Sequence, residues 1–226
     1  MKIGILQTGH APDEARARLG DYDAMFHRLL GGHGFTFETF NVVDGQFPTG
    51  PADAAAWLIT GSRHGVYEPH AWLPPLEQLI REIHAAGLPL VGVCFGHQVI
   101  AQALGGHVEK FSGGWAVGAQ TYQMGGETLR LNAWHQDQVI TPPPGARVLA
   151  SNGFCKYAAL AIGPNVLTFQ PHPEFGDEMI DILATHRAPG VVPDALVASA
   201  QAALGQASDG PAMGLRIAQH LKGATQ

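Results

Sequence analysis

The amino-acid sequence predicts a three-layer α/β sandwich with a mostly parallel central sheet and an antiparallel β extension. In the first half of the chain, short apolar runs alternate with longer segments whose apolar residues recur at helical spacing. This alternation is typical of parallel strands joined by right-handed helical crossovers. The middle of the chain is different, because short β-type runs separated by glycines follow one another there. We interpret these runs as antiparallel strands added to the sheet edge.

The first half supplies the parallel strands and the helices between them. Apolar runs predict strands over residues 2–7, 35–41, 54–60 and 88–93. Helical periodicity predicts helices over residues 13–30, 72–86 and 97–104.

The second half completes the sheet and adds further helices. The predicted strands are residues 108–111, 116–124, 128–134, 147–151, 157–162 and 166–169. The predicted helices are residues 177–186, 194–204 and 211–221. We therefore expect a main domain over residues 1–190 and a C-terminal helical extension over residues 191–226 that packs on the same domain.

Composition excludes several classes of partner. The chain has 226 residues, 46% of them hydrophobic, and a net charge of −6 without a basic run, so a nucleic-acid partner is not expected. No apolar stretch is long enough for a membrane span, so no membrane partner is expected either. The beginning does not resemble a signal peptide, and two cysteines are too few for a disulfide framework. We expect a cytoplasmic location.

The sequence predicts no metal ion and no other cofactor. The 12 histidines show neither a His-Glu-x-x-His spacing nor a comparable ligand pattern. No Gly-x-x-x-x-Gly-Lys-Ser/Thr loop is present, so nucleotide chemistry within these residues is not expected.

Cys94 has the sequence context of a nucleophile. It stands between a predicted strand and a predicted helix, with Gly92 and Gly96 on either side. Such a sharp strand-to-helix turn exposes the side chain at its apex, and small residues allow the chain to bend. The amides and dipole of the following helix favour a thiolate over a thiol. A cysteine that only packs in the core is the alternative.

A histidine and a carboxylate follow near the end of the predicted sheet. His172 and Glu174 alternate with prolines, which exclude a helix and keep the backbone extended. In an extended chain, residues two positions apart point to the same side. We therefore predict a Cys94–His172–Glu174 triad, in which His172 transfers protons and Glu174 orients its ring.

Two backbone amides are candidates for stabilising an oxyanion. Gly61 ends an apolar strand, and Phe95 follows the nucleophile. Because chemistry collects at the carboxyl ends of parallel strands, we expect these two N–H groups to form an oxyanion hole. A plain turn glycine is the alternative for Gly61.

Together these segments resemble the class I glutamine amidotransferase family, the type with a Cys-His-Glu triad. The matching pieces are residues 60–62, 92–98, 103–106 and 171–174. The length resembles the stand-alone branch related to the amidotransferase domain of GMP synthase, which also includes plant γ-glutamyl peptidases. The resemblance implies a flavodoxin-like, amidotransferase-type fold. It also implies cleavage of a γ-glutamyl amide, with glutamine as the expected substrate, through a thioester on Cys94.

The resemblance also assigns substrate contacts and a partner. It implies that Gln98 helps to hold the glutamyl group, and that a loop formed by Trp134, His135, Gln136 and Asp137 lies against its α-amino and α-carboxylate end. Trp134 and Gln136 depart from the small residue and the glycine usual in this loop, so the pocket wall is expected to differ. A synthase that accepts the ammonia is a candidate partner.

Three functions remain open at this point. The leading one is a glutamine amidotransferase-like enzyme that releases ammonia from glutamine. The second is a stand-alone γ-glutamyl peptidase or hydrolase, which would use the same three residues. The third is a non-catalytic binding module on the same scaffold.

Overall fold

Eleven strands and seven α-helices lie along residues 1–223, which is the part of the chain that the computed structural model describes. The strands are β1 (Lys2–Leu6), β2 (Thr36–Phe40), β3 (Ala56–Ile59), β4 (Leu90–Val93), β5 (His107–Lys110), β6 (Ala116–Met124), β7 (Glu127–His135), β8 (Asp137–Thr141), β9 (Ala146–Ser151), β10 (Ala159–Ile162) and β11 (Val166–Phe169). The α-helices are α1 (Asp13–Leu19), α2 (Tyr22–Leu29), α3 (Leu73–Ala85), α4 (Phe95–Ala103), α5 (Asp177–His186), α6 (Asp194–Ala202) and α7 (Gly210–Leu221).

The central sheet has nine strands in the order β2-β1-β3-β4-β11-β10-β9-β6-β7. The strands from β2 to β11 in this order are parallel to their neighbours, and those from β11 to β7 pair in antiparallel fashion. The predicted parallel sheet with an antiparallel extension is thereby confirmed.

Two details of the predicted sheet are wrong. Residues 108–111 were expected at the sheet edge, but β5 pairs with β8 in a separate two-stranded sheet. Strand β8 itself was not predicted, because its first residue, Asp137, was expected in a loop that starts at Trp134. The two strands form a small sheet of their own, and only Gln136 separates the end of β7 from the start of β8.

The predicted helix over residues 13–30 is two helices, α1 and α2. The break has a local cause, because the side chain of Asp21 accepts a hydrogen bond from the Tyr22 amide and so caps a new helix. The helix predicted over residues 97–104 also starts earlier than expected, because α4 begins at Phe95, directly after Cys94.

Helices cover both faces of the sheet. On one face, Phe26 of α2 and Ile217 of α7 belong to the same apolar cluster as Ile5 and Val93. On the other face, Ile80 of α3 and the α4 residues pack with Trp57 in a second cluster. Helix α6 lies against β6 in the antiparallel extension. Helix α7 lies against β4 of the parallel part and against α2. The last part of the predicted C-terminal extension, residues 224–226, lies outside the described residues.

No helix within residues 1–223 combines the length and the apolar character that crossing a bilayer requires.

Gly96 allows helix α4 to approach strand β3 closely. A Cβ atom at this position would lie 2.4 Å from the carbonyl oxygen of Ile59 and 3.0 Å from its Cβ. We expect Gly96→Ala to lower the free energy of unfolding by about 1–3 kcal/mol, because the backbone must shift to admit the methyl group. Urea denaturation measures this change. Gly153→Ala is the matched control, since a Cβ there meets nothing within 4 Å; equal losses in both variants would contradict the close-approach explanation.

Candidate active site

The carboxyl ends of three neighbouring parallel strands meet at one cleft. Cys94 follows β4, Gly61 lies just after β3, and His172 lies just after β11. The cleft has a volume of about 340 Å³, and both Cys94 and His172 line it. This is the edge of an open α/β sheet at which ligands ordinarily bind.

Cys94 has an unusual backbone conformation. Among residues 1–223 it is the only non-glycine residue with a positive φ, with φ 53° and ψ −103°. Its N–H donates to the carbonyl of Phe169 at 2.7 Å, which ties the turn to β11. Such a conformation costs about 1–3 kcal/mol and persists where the surrounding structure enforces it, most often at functional sites. The turn presents the thiol at the start of α4.

His172 is held between a thiol, a carboxylate and an aromatic ring. Its Nδ1 lies 2.7 Å from Oε1 of Glu174, whose side chain is fully buried. Cys94 lies beside the same imidazole, and a Cβ placed on Gly61 would be within 3.7 Å of both side chains. Phe175 stacks on the imidazole with ring centroids 3.8 Å apart and planes 4° from parallel. The predicted residues Cys94, His172 and Glu174 therefore lie together, and the ring orientation is fixed from three sides.

The charge environment of His172 favours the imidazolium. Burial alone lowers the pKa of the ring, but the negative charges of Glu174 and of the Cys94 thiolate outweigh burial and raise the pKa well above 6.5. The folded site therefore holds a proton on the imidazole beside the sulfur of Cys94.

The loop that carries His172 is anchored by a residue that sequence analysis missed. The amide of His172 donates to the carbonyl of Asn132 at 2.8 Å, and the Asn132 side chain donates to the carbonyl of Phe175 at 2.8 Å. Asn132 belongs to β7, in the antiparallel extension. No local sequence pattern indicates this contact, because its backbone bond and its side-chain bond join positions 40 or more residues apart.

Gly61 lies against the side chains of both Cys94 and His172. A Cβ on Gly61 would be 2.9 Å from Cε1 of His172 and 3.7 Å from Cβ of Cys94, so only glycine fits without a shift. The amide of Gly96 donates to the carbonyl of Thr60 at 3.1 Å, which holds the end of β3 beside the first turn of α4. Gly61 and Phe95, the two predicted oxyanion donors, therefore flank the same turn.

The predicted substrate contacts line the same cleft. They are Gln98, Trp134, His135, Gln136 and Asp137. The last four do not form the expected loop, because β7 continues to His135 and β8 begins at Asp137. Nε2 of Gln98 donates to the carbonyl of Asp137 at 2.9 Å and to Oε1 of Gln170 at 3.1 Å, so its amide hydrogens already join α4 to β8 and to the histidine loop.

Further residues of the cleft were not predicted. Three cationic side chains line it, those of Arg63, Lys110 and Arg187, together with the aromatic rings of Tyr22, Tyr67 and Trp115. Tyr67 and Asp137 both line the cleft, and burial is the main cause of the raised pKa of the Asp137 carboxyl. Of the residues missed, Phe175 had the clearest signal, because an aromatic residue directly follows Glu174.

Two buried histidines next to the site should make the fold sensitive to acid. Burial, together with a neighbouring imidazole, lowers the pKa of His97 and of His135 to about 3. The neighbour is His135 for His97 and His172 for His135. The unfolded chain therefore binds protons that the folded chain does not between about pH 6.5 and 3. We expect the free energy of unfolding to decrease over this window as pH falls, by at most about 1.4 kcal/mol per pH unit for each histidine.

Urea unfolding at pH 7, 6 and 5 measures this slope. His135→Asn is expected to make the slope shallower. His107→Asn, at an exposed position, serves as the control and should leave it unchanged. A free energy of unfolding independent of pH in the unsubstituted protein would contradict the assignment.

Comparison with known proteins identifies the family. The model of the family described as glutamine amidotransferase class-I matches residues 57–181. γ-Glutamyl peptidase 4 of Arabidopsis thaliana is 32% identical in an alignment that covers 75% of this chain and 74% of that protein. The glutamine-hydrolyzing GMP synthase of Thermus thermophilus is 34% identical over 53% of this chain and 24% of its own length. The crystal structure of a glutamine amidotransferase from Methylobacillus flagellatus superimposes with a TM-score of 0.76 at 21% identity, covering 100% of this chain and 95% of that one. The chain belongs to the class I glutamine amidotransferase family.

Proposed function

We propose that this protein hydrolyses a γ-glutamyl amide bond through a thioester on Cys94, with glutamine as the first substrate to test. The observation that carries the proposal is the grouping of Cys94, His172 and Glu174 beside one cleft, with Glu174 bonded to His172, in a member of this family. These side chains supply a nucleophile, a proton carrier and an orienting carboxylate.

In the first half of the reaction, the thiolate of Cys94 attacks the side-chain carbonyl carbon of the γ-glutamyl group. The new C–S bond pushes the carbonyl electrons onto oxygen, and the amides of Gly61 and Phe95 are proposed to donate to this oxyanion. As the oxyanion collapses, the C–N bond breaks. The leaving nitrogen takes the proton from His172 and departs as ammonia or an amine.

In the second half, water hydrolyses the thioester. His172, now neutral, takes a proton from the attacking water, and hydroxide adds to the thioester carbon. The C–S bond then breaks, glutamate is released, and the thiolate and imidazolium are restored. Glu174 accepts the Nδ1–H bond throughout and keeps Nε2 directed at the reacting atoms.

The remaining cleft residues are proposed to hold the amino-acid end of the substrate. Asp137, at the start of β8, suits the α-amino group, and the cationic side chains of Arg63, Lys110 and Arg187 suit carboxylates. Since the amide hydrogens of Gln98 are bonded within the protein, the glutamyl group would meet the carbonyl oxygen of Gln98.

A second candidate is hydrolysis of γ-glutamyl peptides. Proteins named γ-glutamyl peptidases match over 75% and 79% of this chain, which favours this class of substrate. The chemistry is the same and only the leaving group differs. If glutamine is the substrate, an ammonia-accepting synthase is the proposed partner.

Release of ammonia or amine distinguishes these functions. The full chain is incubated with glutamine, with γ-glutamyl-cysteine conjugates and with other γ-glutamyl amides, and Cys94→Ser is the control. Ammonia from glutamine supports the first proposal, and turnover of the peptides alone supports the second. No turnover of any substrate would leave a non-catalytic binding module as the better description.

A further inference from the structure

Three side chains with metal-binding groups converge at the rim of the cleft. His64, Glu68 and His70 lie in the loop between β3 and α3, and one nitrogen or oxygen from each lies within 4.8 Å of the others. Two turns of the backbone produce this grouping: the Glu68 amide donates to the carbonyl of Gly65 at 3.1 Å, and the His70 amide to that of Glu68 at 2.8 Å. Their spacing in the sequence is not that of His-Glu-x-x-His or of a comparable metal-binding motif, so only the fold reveals the cluster.

One of the two ligand–ligand distances already matches a tetrahedral metal site, and the other is close to it. Nδ1 of His64 lies 3.4 Å from Oε2 of Glu68, about the ligand separation that bonds of about 2.0–2.1 Å produce around zinc. Nε2 of His70 lies 2.6 Å from the same oxygen, as a hydrogen bond. A metal ion would replace the shared proton, and this pair would open by less than about 1 Å.

Aromatic neighbours hold the two imidazoles in place. His70 stacks on Trp72 with centroids 5.5 Å apart and planes 13° from parallel. His64 meets His70 edge to face at 4.3 Å and also contacts Trp72. The rings are thus fixed on one side, while the ligand atoms remain reachable from solvent.

We propose that His64, Glu68 and His70 form a binding site for a divalent transition metal such as Zn²⁺, whose fourth position is taken by water or by a molecule in the cleft. Two imidazoles and one carboxylate suit Zn²⁺ and its transition-metal neighbours, whereas Mg²⁺ and Ca²⁺ prefer sites made of oxygen. His64 and Glu68 line the cleft, so a metal there also fixes part of its rim. The site uses none of the residues proposed to cleave the γ-glutamyl bond.

Metal titration in a Cys94→Ser background tests the proposal, because Cys94 and His172 could themselves bind zinc. The full chain is titrated with Zn²⁺ by calorimetry, with Co²⁺ by visible absorption, and with Ca²⁺ as a comparison. We expect one equivalent of Zn²⁺ to bind, the absorption of tetrahedral Co²⁺ to develop, and Ca²⁺ not to bind. His64→Gln and His70→Asn should each raise the Kd for Zn²⁺ at least about tenfold.

His107→Asn is the matched control and should leave the Kd unchanged, because His107 forms a similar histidine–carboxylate pair with Glu109 at 2.8 Å away from the cluster. Thermal unfolding without metal shows whether each variant folds, and Glu68→Gln is the alternative if either histidine variant does not. The proposal is overturned if Zn²⁺ shows no saturable binding up to about 1 mM. It is equally overturned if the cluster variants bind Zn²⁺ as well as the His107→Asn control does.

Discussion

Cys94→Ser is expected to reduce kcat/KM for γ-glutamyl substrates by at least about 10⁴-fold, while the protein stays folded. A serine hydroxyl has a much higher pKa than a thiol, and the His172 imidazolium that stabilises a thiolate does not produce an alkoxide. Release of ammonia or amine from the best substrate measures the loss. The small change in side-chain volume should leave thermal unfolding nearly unchanged.

Cys155→Ser is the matched control for this experiment. Burial raises the pKa of Cys155 to about 12, so it remains a thiol under ordinary conditions and takes no part in the proposed chemistry. Its replacement should leave most of the activity. Comparable losses in the two variants would contradict the assignment of Cys94 as the nucleophile.

Glu174→Gln is expected to lower kcat/KM by about 10²-fold and to change its dependence on pH. The carboxylate of Glu174 raises the pKa of His172, so the imidazolium persists to high pH in the unsubstituted enzyme. Glutamine carries no charge, and His172 should then lose its proton at lower pH. Because the leaving nitrogen needs that proton, we expect the alkaline limb of the pH–rate profile to move to lower pH by about one unit or more.

The pH profiles of both enzymes, measured under conditions in which each stays folded, test this prediction. The Asp137→Asn variant is a useful comparison, because it also removes a carboxylate from the cleft but not one bonded to His172. Its alkaline limb should stay where it is. An unmoved alkaline limb in Glu174→Gln would show that the carboxylate does not control the protonation of His172.

The main features of the fold follow directly from the sequence pattern. Apolar runs alternating with helical periodicity predict the parallel strands from β1 to β4, and the glycine-rich middle predicts the antiparallel strands. The elements that the sequence pattern does not indicate depend on a single capping side chain or on pairing between distant strands. Asp21 caps a second helix inside what reads as one, and β8 is recognisable only through its pairing with β5.

The central residues of the candidate site were predictable because their local patterns are strong. Cys94 lies at a strand-to-helix turn between glycines, and His172 and Glu174 alternate with prolines, so each motif indicates its own geometry. What joins the motifs is not local. Asn132 reaches the histidine loop from the antiparallel extension by backbone and side-chain bonds.

The protonation state of His172 could not be predicted from sequence either. A histidine acting as a base is ordinarily neutral at pH 7, and acid would then inactivate it. In the folded chain, two negative partners outweigh the effect of burial and favour the imidazolium instead. The cluster of His64, Glu68 and His70 shows the same dependence on the fold, because backbone turns bring together residues with no recognisable motif.

Covalent labelling of Cys94 tests the central claim most directly. The protein is treated with a glutamine-mimicking electrophile, such as a diazoketone analogue of glutamine, and the modified residue is located by peptide mass spectrometry. We expect one adduct per chain, on Cys94, that forms more slowly when a γ-glutamyl substrate is present and far more slowly in His172→Gln. Labelling that is absent, or that modifies Cys94 and Cys155 equally and regardless of substrate, would contradict an activated thiolate at this turn.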